Sequence, residues 1–177
     1  YAGDARVCQV SGYSYLGKYL AESESRQYYF LKGGDCLAWA TWRESWAIYS
    51  DDSASLMADI QKAGRLYEFD RCGNDRCSVM LRDNIARQHS WAINWYASTF
   101  LREALTLYPA DSMALHVTDT TELGTNYKPK HQDPLDVEMC QEYKPLRSRP
   151  VEVDSDVERF HHLFLQEYRR SRRSQVR

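Results

Sequence analysis

The chain has 177 residues, 43% of them hydrophobic and 27% charged, with a formal net charge of −2. That length suits one domain with a substantial core, and the composition is globular rather than disordered. The near-neutral balance excludes a general electrostatic attraction to nucleic acid and argues against a nucleic-acid partner.

No stretch approaches the roughly 18 apolar residues of a membrane-spanning helix. The nearest, residues 36–49, is interrupted by Arg43 and Glu44. Peripheral membrane association stays open. Thirteen tyrosines and five tryptophans stand out. Such rings fill helical cores, and they also favour interfaces where one edge stays polar. The chain begins Tyr-Ala-Gly-Asp rather than with Met. Removal of a targeting peptide is expected, with the mitochondrion as the compartment and the periplasm or secretion as alternatives.

In chain order, residues 1–12 read as an irregular arm. Leu16, Leu20, Tyr28 and Leu31 then sit at helix-compatible positions, which predicts a helix over 13–31. Gly33 and Gly34 break it. Asp35 is placed to cap a second helix over 36–49, carrying Leu37, Trp39, Trp42, Trp46 and Ile48. Asp51, Asp52 and Ser53 supply capping and acidic residues for a helix over 52–63. The stretch 78–108 has no internal Gly or Pro. Leu81, Ile85, Ala92, Tyr96 and Phe100 recur there at steps of four or seven, so it reads as a long central helix buried on several sides.

Beyond Pro109 the chain is proline-rich and poor in large apolar residues, and 110–150 reads as an extended arm. Such a segment normally lies on its own domain or a neighbour. A last helix is expected over 153–170, on the apolar face of Val157, Phe160, Leu163 and Phe164. The expectation is therefore all-α, with five helices. Its parts are an arm (1–12), a helical domain (13–108), an extended arm (109–152) and a C-terminal helix with a basic tail (153–177).

Among the five cysteines, Cys72 and Cys77 bracket a turn-rich hexapeptide. A disulfide there would pin the turn, and free thiols are the main alternative. Their spacing lacks the second pair or nearby His of a zinc site, so no metal site and no cofactor are expected. His131, Asp133, Asp136 and Glu138 offer oxygens and a nitrogen on the arm, without fixed ligand spacing.

Cys36, at the expected start of a helix, occupies a position that lowers a thiol pKa, with His116 the best-placed base. A second catalytic candidate is Glu44, in Trp42-Arg-Glu-Ser-Trp46 and followed by Ser53-Ala-Ser-Leu-Met57. This pattern resembles the lysozyme-like lytic transglycosylases. The resemblance implies Glu44 as a general acid in peptidoglycan cleavage, kept protonated by apolar neighbours. The sequence departs from that pattern at Ser55 and Ala58, and no Ala-Tyr-Asn follows the long helix. Arg169, Arg170, Arg172 and Arg173 form the one basic cluster. They suit the C-terminal end of a helix or an acidic partner surface.

No coherent catalytic constellation emerges, so a non-catalytic reading leads. It describes a processed helical subunit that scaffolds or bridges other protein subunits, such as an accessory subunit of a respiratory or other organellar membrane complex. The alternatives are the lytic enzyme acting through Glu44 and a periplasmic secretion or conjugation component.

Overall fold

The computed structural model describes residues 1–20, 27–73, 75–115, 137–141 and 149–174, with the side chains of 171–174 excepted. The fold is mixed, not all-α. Four strands, β1 (Val7–Ser11), β2 (Tyr28–Lys32), β3 (Trp39–Thr41) and β4 (Leu105–Pro109), form one sheet in the order β2-β4-β1-β3. The central pair β1 and β4 is parallel, while β2 and β3 run antiparallel along the two edges.

Each strand overturns a helical or irregular expectation for a physical reason. Tyr28 to Leu31 and Leu105 to Tyr108 are buried at every position. A strand covered on both faces shows a continuous apolar run, which periodicity cannot separate from a buried helix. Val7 to Ser11, within the stretch read as an irregular arm, is the inner strand β1 and carries the fully buried Gln9. The polar Gln9 and Ser11 masked its strand character.

The helices are α1 (Gly17–Leu20), α2 (Arg43–Trp46), α3 (Ser53–Lys62), α4 (Leu66–Phe69), α5 (Cys77–Arg87), α6 (Trp91–Leu101) and α7 (Ser155–Ser174). Both α3 and α7 lie where the sequence placed them. The long central helix does not exist as one element. It divides between α5 and α6 at Gln88, whose left-handed backbone (φ 48°) caps α5. It ends at Leu101, and Glu103 (φ 52°) reverses the chain into β4. Most of the extended arm expected over 110–150 lies outside the described residues. Of its described parts, residue 112 bridges 139, and Cys140 N–H donates to the Ser112 carbonyl.

Cross-strand partners share a face of the sheet. On one face, Phe30, Leu107 and Leu105 pack with Val7 and Val151. On the other, Tyr29, Leu31 and Tyr108 pack against Tyr13, Tyr15 and Leu16, and α7 closes over them with Val157, Phe164 and Leu165. Tyr15 stacks on Phe164 at 4.5 Å between ring centroids, and Tyr29 stacks on Tyr108 at 5.3 Å. A second core joins α3, α5 and α6 through Leu56, Met57, Ile60, Leu81, Ile93 and Phe100.

The two cores meet where α6 lies on the sheet. Trp95, fully buried, donates its indole N–H to Gln9 Oε1 at 2.6 Å. The same Gln9 amide holds the loop after β2, accepting from Asp35 N–H and donating to the Asp35 carbonyl. A Cβ at Gly34 would run into the Trp95 indole, and one at Gly33 (φ 84°) into the Tyr96 ring. Those two glycines end no helix. They let α6 approach the sheet.

Candidate functional site

The described residues among those singled out by sequence do not converge. Cys36 lies exposed in the loop between β2 and β3 rather than at a helix start. The protein crowded around its sulfur and the adjoining Asp35 carboxylate raise its thiol to about 11, away from the thiolate. Glu44 is exposed on α2 and has no apolar enclosure. His116, His131, Asp133 and Asp136 lie outside the described residues, while Glu138 is exposed.

The disulfide expected between Cys72 and Cys77 is not formed. Cys77 faces the core from the first turn of α5, whereas Cys72 is exposed on a left-handed turn (φ 55°), so both are free. Arg169 docks on this turn, its guanidinium donating to the Gly73 carbonyl at 2.6 Å. Arg170 is exposed. Arg172 and Arg173 lie in the last turn of α7, where side chains are not described. Among the described residues, no group of three or more His, Cys, Asp or Glu side chains could hold a metal ion.

What the structure does bring together is a tryptophan surface. Trp39 from the edge strand β3 stacks on Trp91 at 5.4 Å and Trp95 at 5.9 Å. Trp46 from α2 contacts Trp95 at 5.2 Å and lies parallel to Tyr49 at 4.7 Å. Trp95 anchors the group from inside. Trp46 and Trp91 remain 40% and 45% exposed. Large rings held this far in water, in mutual contact, are costly unless something covers them.

Beside this surface opens a cleft of about 540 Å³, bordered by Tyr49, Asp51, Ile85, Gln88, His89 and Trp91. Its floor is wired by three buried polar residues. Asn84 Nδ2 donates to Ser53 Oγ (3.0 Å) and Asn94 Oδ1 (3.1 Å), and Ser53 Oγ donates to Asn94 Oδ1 (2.8 Å). Asn84 Oδ1 accepts from the backbone N–H groups of His89 (3.0 Å) and Ser90 (2.8 Å), fixing the turn that splits α5 from α6. Asn94 Nδ2 donates to the Asp51 carbonyl at 3.1 Å. The floor is thus satisfied internally and rigid.

Sequence reasoning counted the tryptophans but missed the cleft. Asn84 and Asn94 sit at i and i+10 in what reads as one helix, and only the break at Gln88 turns both toward Ser53. A buried Asn inside an apolar helical pattern was the available signal.

The class these observations define is a mixed α/β domain with an aromatic surface beside a polar-floored cleft. No family model, no curated protein and no solved structure matches the chain. No helix among the described residues is long and apolar enough to cross a membrane.

Proposed function

We propose that this protein is a non-catalytic subunit that docks on another protein of a larger assembly through Trp39, Trp46, Tyr49 and Trp91. The observation that carries the reading is the pair of partly exposed rings, Trp91 stacked on Trp39 and Trp46 against the buried Trp95, which Trp39 joins into one surface. Partially exposed tryptophans seated on a rigid base are the side chains that dominate binding energy at protein interfaces. Trp39 extends the surface onto an edge strand, where a partner also meets open backbone groups.

The test is the native mass of the gently purified protein, together with the identity of any stoichiometric companion. A defined complex is expected. Trp46→Ala and Trp91→Ala should each weaken it by about 30-fold or more, the scale of an interface hot spot. A clean monomer from the native source, with no stoichiometric companion, overturns the reading.

A further inference from the structure

We infer that the cleft next to the tryptophan surface receives an arginine side chain of the docked partner. This inference rests on the docking reading above and adds the chemistry of one contact.

Three observations converge on it. The first is charge. Asp51 and Asp52 border the cleft, and no Lys or Arg lines it. An anionic group would enter against two carboxylates with no Lys or Arg to offset them, His89 being the one basic ring in the lining. The Asp52 carboxylate caps α3, accepting from Ser55 N–H at 2.9 Å. The Asp51 carboxylate makes no hydrogen bond among the described residues, while its own backbone is held by Asn94 and Ser53. It is an acceptor on a fixed mount with its oxygens unused.

The second is the aromatic wall. Trp91 packs on Trp39 and Tyr49 on Trp46, yet both rings also line the cleft. A planar guanidinium stacks on such a ring and can pair two parallel N–H groups with one carboxylate. An ammonium offers a point charge and is more strongly hydrated. The third is the floor. Asn84, Asn94 and Ser53 spend their hydrogen-bonding capacity on one another and on the backbone. A ligand that needs many hydroxyl partners, such as a saccharide, finds few there. A cation that needs one carboxylate and a ring face is served.

The experiment titrates the full chain, followed by the indole N–H signals of its tryptophans in NMR. The probes are N-acetyl-arginine amide, the matching lysine and citrulline amides, and chitotriose. The arginine probe is expected to shift the Trp91 signal saturably. The citrulline probe, of the same shape without charge, should bind at least tenfold more weakly. Asp51→Asn should reduce arginine binding at least tenfold with little change in the melting temperature, since that carboxylate makes no hydrogen bond among the described residues. Equal binding of citrulline and arginine overturns the inference. So does binding of chitotriose in preference to arginine, or no saturable shift with any probe. In the native complex, Asp51→Asn separates the two ideas. If that variant assembles normally while Trp46→Ala does not, the docking reading stands and the arginine contact falls.

Discussion

Gln9 is a polar side chain at the centre of the sheet with no exposure, and three backbone or indole groups depend on it. Replacement by Leu keeps the volume and strands the Trp95 indole N–H together with the Asp35 N–H and carbonyl. Leaving buried polar groups unpaired costs about 1–3 kcal/mol. Gln9→Leu should therefore lower the unfolding free energy by at least that amount, read as a lower urea midpoint at an unchanged slope.

His161, on the buried face of α7 beside Tyr15 Oη at 3.2 Å, makes a second residue-scale prediction. Burial, and then the charges of Arg71 and His162, hold its pKa well below the ordinary 6.5. The unfolded chain therefore binds this proton first. Stability contributed by neutral His161 is present above about pH 6.5 and declines as pH falls toward the depressed folded value, by up to about 1.4 kcal/mol per pH unit. His161→Gln, which can keep a partner for Tyr15, should flatten the stability profile between about pH 6.5 and 5. An unchanged slope would assign that acid sensitivity elsewhere.

At the scale of elements, the break between α5 and α6 decides the architecture. Gln88 adopts a left-handed conformation that costs a non-glycine residue about 1–2 kcal/mol. Gln88→Gly, against its own added chain entropy, should stabilise the protein by about 0.5–1 kcal/mol, read as a rise in the thermal midpoint. Without a glycine at 88, nothing in the local sequence marks a helix end. Leu81 leads in phase to Tyr96 and Phe100 because both helices face the same core, while Ile85 and Ala92 keep the spacing without joining that core. The helices with caps or strong polarity, α3 and α7, were legible to within a few residues. The strands were not, since Tyr28 to Leu31 and Leu105 to Tyr108 are enclosed on both faces and lose the alternation that marks a strand. The aromatic surface was legible only as composition. Its assembly requires β3, α2 and α6 to meet, which is long-range information.

For the whole molecule, α7 acts as a strap. It lies on the sheet through Val157, Phe164 and Leu165 and is pinned at its margin by Lys18 and Glu167, 2.6 Å apart. The exposed ion pair adds little, whereas the apolar contact covers Tyr15, Leu16 and Tyr29. A chain ending at residue 150 should lose its sharp thermal transition and bind a dye specific for exposed apolar surface. The helical signal of α3, α5 and α6 should persist, because their core is separate from the one α7 covers. Retention of a sharp transition would show that α7 only decorates the surface.

The parallel pairing of β1 with β4 joins residue 7 to residue 105 and residue 10 to residue 107. The middle of the sheet is thus the last part that the chain can build. During synthesis, β1 has no central neighbour until nearly a hundred further residues have followed it, and the hairpin-like pair of β1 and β3 must wait with one edge open. Non-local pairing of this kind slows folding into the millisecond-to-second range. Refolding should show early helix formation, followed by a slow phase in which Trp95 fluorescence changes as β4 slides between β1 and β2. In the cell, that interval is when an exposed strand most needs a chaperone's protection.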